Sequence, residues 1–442
     1  MTHALSQLRA GQLAGIQRLQ LRCSLSEFPR EIFDLADSLE ILDLSSNQLN
    51  TLPDDLPRLH KLRVIFCSDN LFTELPEVLG QCSQLSMVGF KANQITHVPP
   101  KALPPLLRWL ILTDNALTEL PAEIGQCAHM QKLMLAGNNL HSLPCELANC
   151  KRLELLRISA NQLTSLPNWL LHMPRLTWLA FAGNPFTQAL EAKALSNAPA
   201  PLIAWSHLQL HHQLGEGASG VIHQAMLNTD TGKQTVAVKL FKGAVTSDGL
   251  PDCEMAACIH AGAHPHLVSA MARVTGHPNH QQALVMPLIA REFENLAGPP
   301  SLESCTRDVY APSNRFSWPV TLRIAKGITS AAQHLHLRGI LHGDLYAHNI
   351  LNTAEGDALL SDFGAATFFD VNDALLAQSL EKIEVRALGC LLEELAMQCD
   401  AALAESPQHQ ALTKLAMQCM QNMPSKRPSL RQICSELASL AA

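Results

Sequence analysis

Apolar positions recur along the first half of the chain with a period close to 23 residues. Asn stands at 47, 70, 93, 115, 138, 161 and 184, in steps of 23, 23, 22, 23, 23 and 23. Three, five and eight positions before each Asn the residue is apolar: Leu44, Leu42 and Leu39 in one unit, Ile158, Leu156 and Leu153 in another. Six positions after each of the first six comes a proline, from Pro53 to Pro167, usually as Leu-Pro. This spacing predicts one short strand per unit, its leucines turned inward to stack on those of the neighbouring units. The Asn is placed to hydrogen-bond backbone groups where the chain leaves the strand. No unit can bury its apolar face alone, so stability is shared between neighbours.

These units match the leucine-rich repeat pattern LxxLxLxxNxL, and the Leu-Pro variant resembles the intracellular repeats of signalling scaffolds. The first unit, around Leu19, Leu21, Cys23 and Pro29, is one residue short and carries Cys at the Asn position, as a terminal cap would. Side chains six, four and two positions before each Asn are expected to point out of the strand row. The run is unusually apolar and includes Phe66, Trp109, Ile111, Met134 and Trp178, which read either as strand-forming residues or as a protein-docking groove anchored by Trp109 and Trp178. After Asn184 the period stops. ALEAKALSNAPAP within 185–205 predicts one helix and a proline-punctuated linker, too short and too polar to cross a membrane.

Beyond the linker the pattern changes. VAVKLF (Val236 to Phe241) and ALVMPLI (Ala283 to Ile289) read as buried strands, PDCEMAACIHAG as a helix, and TLRIAKGITSAAQHLHLRGI as an amphipathic helix. The 442 residues suggest roughly three domains. A net charge of −7 leaves no electrostatic footprint for nucleic acid. No run approaches the roughly 20 apolar residues of a membrane span, and the start lacks a basic region followed by an apolar core, so a secretory signal is not expected. The thirteen cysteines form no CxxC pair. Cys82, Cys127 and Cys150 each fall twelve residues after a repeat Asn and read as small core residues in a reducing cytoplasm.

The candidate chemistry lies in five segments of the second half. Leu214-Gly215-Glu216-Gly217-Ala218-Ser219-Gly220-Val221-Ile222 contains GxGxxG, whose glycines let a hairpin approach phosphate oxygens. A dinucleotide-binding unit would place a helix directly after the glycines, whereas here a strand follows. In that strand the motif VAVK, with Ala237, ends at Lys239, a lysine in an apolar run that needs a charge to meet it. Glu254 is the candidate partner, with Glu292 and Glu294 as weaker alternatives. Met286 is placed either to line an adenine pocket or to fill the core. His342 to Asn349, HGDLYAHN, and Asp362 to Gly364, DFG, complete the set.

In this order and spacing the five segments resemble the protein kinase superfamily, over about 206–442. The whole chain is similar to the soluble leucine-rich-repeat kinases found in bacteria. The resemblance implies a two-lobed α+β fold with an N-lobe over about 206–287 and a C-lobe over about 288–442, following an α/β repeat solenoid over 1–184 whose parallel sheet lines the concave face. It implies ATP with Mg²⁺ as cofactors, Asp344 as the residue orienting the acceptor hydroxyl, Lys239 and Glu254 as the phosphate-binding pair, and Asn349 and Asp362 as metal ligands. Residues 214–222, Ala237, Lys239 and Met286 would contact the nucleotide.

Four positions depart from the family. Gly343 stands where an arginine is usual, Tyr346 where Ser/Thr kinases carry lysine (with His348 at the arginine position of the tyrosine-kinase loop), and no Ala-Pro-Glu follows DFG. Arg427 lacks its usual glutamate, for which Glu384, Glu393 or Glu394 is a substitute. The sequence therefore predicts a cytoplasmic Ser/Thr-directed protein kinase with unusual substrate docking, its repeats serving interaction or regulation, a protein substrate and no nucleic-acid or membrane partner. A nucleotide-binding pseudokinase scaffold is the alternative, and a secreted effector without a signal peptide is the alternative location.

Overall fold

A computed structural model describes residues 2–197, 201–217, 219–230, 232–242, 245–246, 248–400 and 406–440. The chain divides into two compact units, 1–173 and 174–442.

The first unit begins with helix α1 (Thr2–Arg9). Seven strands follow at the repeat period: β1 (Arg18–Gln20), β2 (Ile41–Asp43), β3 (Val64–Phe66), β4 (Met87–Gly89), β5 (Trp109–Ile111), β6 (Lys132–Met134) and β7 (Leu155–Arg157). Each pairs in parallel with the next, one repeat on, as Ile41 with Val64 and Leu42 with Ile65. Short 3-10 turns after the Leu-Pro prolines return the chain, and the last repeat of the unit uses the short helix α2 (Asn168–Leu171) instead. The inward leucines are buried. The Asn positions do what their spacing predicts. Asn138 Nδ2 donates to the carbonyls of Leu112 and Leu135, both at 2.9 Å, and its Oδ1 accepts from Leu117 N at 3.0 Å. Asn70 and Asn161 repeat this with their own neighbours. Cys82, Cys127 and Cys150 are buried thiols, their pKa values pushed up by burial to about 11, 11 and 12.

The row expected to face outward is largely covered by its own members. Phe66, Trp109, Ile111 and Met134 are half-buried. The Lys132 ammonium lies 4.6 Å from the Trp109 ring centre, and Trp109 Nε1 donates to Met134 Sδ at 3.4 Å. Side chains of adjacent strands in a parallel array stand one above another, so large residues there pack laterally.

The second unit opens at Pro174, so that strand β8 (Trp178–Ala180) of the last repeat falls within it. Helix α3 (Gln188–Asn197) falls where expected, but the following segment is more than a linker. Strand β9 (Leu202–Ala204) pairs in parallel with β13 (Ala272–Thr275) and closes one edge of a six-stranded sheet. Its order is β10 (Leu208–Glu216), β11 (Gly220–Thr229), β12 (Gly232–Phe241), β14 (Ala283–Pro287), β13 and β9. Leu208, Ala225, Leu227, Val236, Val238, Ala272, Ala283 and Val285 form its core, and helix α4 (Pro251–Ala261) follows β12.

The rest of the unit is mainly helical. Helix α5 (Trp318–Leu337), with ten buried residues, is the predicted amphipathic helix. Strands β15 (Glu294–Asn295), β17 (Ile350–Asn352) and β18 (Ala358–Leu360) form one small sheet, and β16 (Ile340–Leu341) pairs with β19 (Thr367–Phe368). Helices α6 (Ala374–Gln398), α7 (Pro407–Cys419) and α8 (Leu430–Ser439) complete the unit. No helix among the described residues is long and apolar enough to cross a membrane.

Candidate active site

The hairpin β10–β11 and strand β12 carry the first group of candidates. Ile222 stands opposite Lys239, and Ala237 opposite Met286 on β14. Gly220 is required by close approach: a Cβ there would lie 2.6 Å from the Leu240 carbonyl oxygen and 3.2 Å from Lys239 Cε. At Gly215 and Gly217 an added Cβ would meet nothing within 4 Å, so the hairpin backbone is open on that side. Glu216 is ion-paired with Lys242, Leu214 is exposed and Ser219 is buried. Ala218 lies outside the described residues.

Lys239 is buried on β12 and ion-paired with Glu254 of α4; Glu292 and Glu294 lie elsewhere, Glu294 on β15. Burial pulls the lysine pKa down, and the carboxylates of Glu254 and Asp362 outweigh it, so the ammonium holds its proton more tightly than usual. Burial drives Glu254 up to about 7, with Asp362 repelling its charge, while Lys239 and the Ser219 hydroxyl work against the rise. Glu254, Lys239 and Asp362 therefore share one electrostatic neighbourhood, and a Cβ on Gly364 would sit 3.1 Å from Asp362 Oδ1 and 3.8 Å from Glu254 Oε2.

The second group sits on the small sheet. Asn349 directly precedes β17 and Asp362 follows β18 by two residues, and these strands pair through Ile350 and Leu360. Ser361 locks the junction: its N and Oγ both donate to the Asn349 carbonyl at 2.8 Å. Asn349 Nδ2 donates to Asp344 Oδ2 at 2.8 Å and to the Asp344 carbonyl at 3.0 Å. Asp362 is exposed and adopts φ +56°, a left-handed conformation that Asp tolerates better than most residues. The segment between β16 and β17 is anchored from α6. Glu384 accepts from His342 N at 2.7 Å and Gly343 N at 3.3 Å, and lies 3.3 Å from His336 Nε2. Burial alone would raise its pKa, but His336, His342 and these bonds hold it below the usual carboxylate range.

Several contacts here had no signal in the sequence. Asp308, in the stretch between β15 and α5, accepts from His348 N at 2.9 Å and lies 2.7 Å from His348 Nδ1. Burial lowers the His348 pKa, and Asp308, Asp344 and Asp362 more than restore it, so the imidazole is held above its ordinary value. The missing partner of Arg427 is not a carboxylate. Its guanidinium donates to the carbonyls of Gln421, Lys382 and Pro174 at 2.8, 2.7 and 2.8 Å, while Glu393 and Glu394 pair with Arg307 and Glu384 is committed to the 342–343 backbone. Burial, with Arg386 nearby, lowers the Arg427 pKa to about 9.

Trp178 is not a groove anchor. It is 2% exposed and stacks on Tyr346, with ring centres 4.0 Å apart and planes at 8°. The period assigns it to the outward row, but tertiary packing buries it.

The group that the motifs imply, a magnesium-bound nucleoside triphosphate, fits these residues. Among the described residues no cluster of three or more His, Cys, Asp or Glu forms a metal cage, so a cation here would rest on few protein ligands and on phosphate oxygens, as Mg²⁺ does beside nucleotides. Asp362 offers an exposed carboxylate. The amide nitrogen of Asn349 is spent on Asp344, which leaves its carbonyl oxygen as the end a cation would meet.

Comparison with known proteins agrees with the geometry. Residues 208–394 match the protein tyrosine and serine/threonine kinase family model, and 38–59 and 128–186 match leucine-rich repeat models. The chain is 32% identical to CBL-interacting protein kinase 22 of Oryza sativa over 38% of each chain. It is 26% identical to a Dictyostelium discoideum protein described as a probable serine/threonine-protein kinase, over 53% of this chain and 16% of that one. A kinase so described from Bifidobacterium longum is 26% identical over 42% of this chain and 26% of its own length. The chain covers less than half the length of each of these relatives. They come from a plant, a slime mould and a bacterium, and so speak for the domain and not for a bacterial lineage. The chain therefore joins leucine-rich repeats to a protein kinase domain.

Proposed function

We propose that this protein is an ATP- and Mg²⁺-dependent protein kinase that transfers the γ-phosphate to Ser or Thr hydroxyls of a protein substrate. The observation that carries the reading is the Lys239–Glu254 ion pair with Asp362 beside it, together with the bonded pair Asp344 and Asn349 in the segment between β16 and β17. Phosphoryl transfer needs positioning and charge neutralisation more than covalent chemistry. The bound nucleotide and Mg²⁺ would supply the phosphoryl group and most of the neutralising charge. Lys239 would meet phosphate oxygens, with Glu254 orienting it. Asn349 and Asp362 would hold the metal. The open backbone of 214–222, with Ala237 and Met286, would enclose the nucleotide. Asp344, held by Asn349 Nδ2, would orient the acceptor hydroxyl and take its proton.

The repeats suit a protein-interaction or regulatory role, with the half-buried Phe66, Trp109, Ile111 and Met134 as the accessible apolar part of their strand row. Cysteines that are free thiols suit a reducing, cytoplasmic setting. The test is incubation of the full chain with Mg-ATP and a cell lysate, with phosphosites read by mass spectrometry for wild type and Asp344→Asn. Wild-type incorporation on Ser/Thr that falls at least about a hundredfold in the variant is expected. Equal background in both overturns the reading.

A further inference from the structure

Two departures in the catalytic loop, Gly343 and Tyr346, meet the same element. Strand β8, which belongs to the last repeat by sequence and to the second compact unit by structure, runs alongside 343–346. Trp178 stacks face to face on Tyr346, and its Nε1 donates to the Leu345 carbonyl at 3.1 Å. The Leu179 carbonyl oxygen comes so near Gly343 that a Cβ there would lie 2.5 Å from it and 2.8 Å from the Ala365 carbonyl oxygen. Phe181 N donates to Thr367 Oγ1 at 3.2 Å. Strand β8 and the residue after it thus touch the residue before Asp344, the two after it, and the segment that follows Asp362.

We infer that Trp178 is a positioning residue for phosphoryl transfer: it fixes the 343–346 backbone, and through it the Asp344 carboxylate, from outside the kinase motifs. The inference rests on the kinase reading above. The geometry favours positioning over mere filling of space for two reasons. A stack at 8° with a directed N–H bond fixes orientation as well as volume, and a neighbouring loop residue has no room for a side chain while the strand is present. Asp344 is also held by Asn349, by His342 Nδ1, which accepts from its N, and, through the backbone of 342–343, by Glu384. The indole adds a restraint on its C-terminal flank. Small misplacements of a catalytic group cost rate far more than they cost binding.

The experiment uses the full chain. Trp178→Phe keeps a stacking ring and removes the N–H donor, and Trp178→Ala removes both. Steady-state phosphoryl transfer to a Ser/Thr peptide library gives kcat and the KM for ATP, and hydrogen exchange reports on 342–349. The expected result is a kcat about tenfold or more lower in Trp178→Ala and an intermediate value in Trp178→Phe. The ATP KM should stay within about twofold, and exchange should quicken in 342–349 but not in α4. A variant kcat within about twofold of wild type overturns the inference, as does a loss that only tracks the folded fraction. Should Trp178→Ala fail to fold, Trp178→Phe decides on the same criteria. A wild-type chain that transfers no phosphate overturns the kinase reading and this one with it, whereas an active wild type matched by both variants overturns this one alone.

Discussion

At the scale of single residues the site is built from groups whose charge states are set by one another. Lys239 and Glu254 are both removed from water: burial raises the Glu254 pKa against the pull of Lys239, and the Glu254 and Asp362 charges hold the Lys239 proton against burial. The need of Lys239 for a partner charge was legible in the sequence, because a lysine within a buried strand demands one; the nearness of Asp362 to that pair was not. What could not be read was the reason for the departures. Gly343 looked like a lost arginine; it is a position with φ +72° under a carbonyl oxygen. Gly343→Ala is expected to destabilise the protein by about 1–3 kcal/mol, combining a left-handed backbone with the contact to Leu179. Chemical denaturation checks this, and an unchanged midpoint would mean that β8 yields easily. Arg427 was equally opaque. A sequence shows which carboxylates exist, but not that buried arginines can be satisfied by carbonyls alone.

At the scale of elements the repeats were the most legible part of the chain, because period and burial come from the same physics. Every strand from β2 to β7 lies where the Asn spacing puts it. The ladder of side-chain amides gives the array its second, polar spine. Asn138 is 4% exposed and makes three backbone bonds, so Asn138→Ala strands two carbonyls and one N–H. A loss of about 1–3 kcal/mol is expected, read as a lower urea midpoint for the first unit with the second unit's transition unmoved. The element that the sequence missed is β9. Leu202-Ile203-Ala204 is short, follows prolines and has no alternation of its own; it is a strand because β13 offers an unpaired edge. The misreading of Trp178 has the same origin. A repeat pattern says which way a side chain points but not what lies above it.

For the whole molecule, the titration of buried carboxyls sets how stability follows pH. Burial raises Glu394 to about 7, with Asp308 repelling its charge, although Arg307 and Tyr310 oppose the shift. The native Glu394 carboxyl keeps a proton that the unfolded chain, with an ordinary value of 4.5, has already released. Its contribution is therefore fully present below about pH 4.5 and is lost as pH rises through about 7. Thermal midpoints measured between those limits should fall with rising pH, and Glu394→Gln should flatten the slope. A variant with the wild-type slope would show that Glu394 ionises normally.

Two buried arginines tie the start of the second unit to its helices. Arg427 reaches the Pro174 carbonyl, and Arg386 Nε reaches the Arg175 carbonyl at 3.2 Å. Both acceptors are main-chain atoms, which every amino acid possesses. Mutational drift at 174 and 175 can thus proceed without loosening the attachment, so long as the two guanidinium groups persist. The join would leave no trace of paired substitutions between its two sides, and comparing sequences from related species would overlook it.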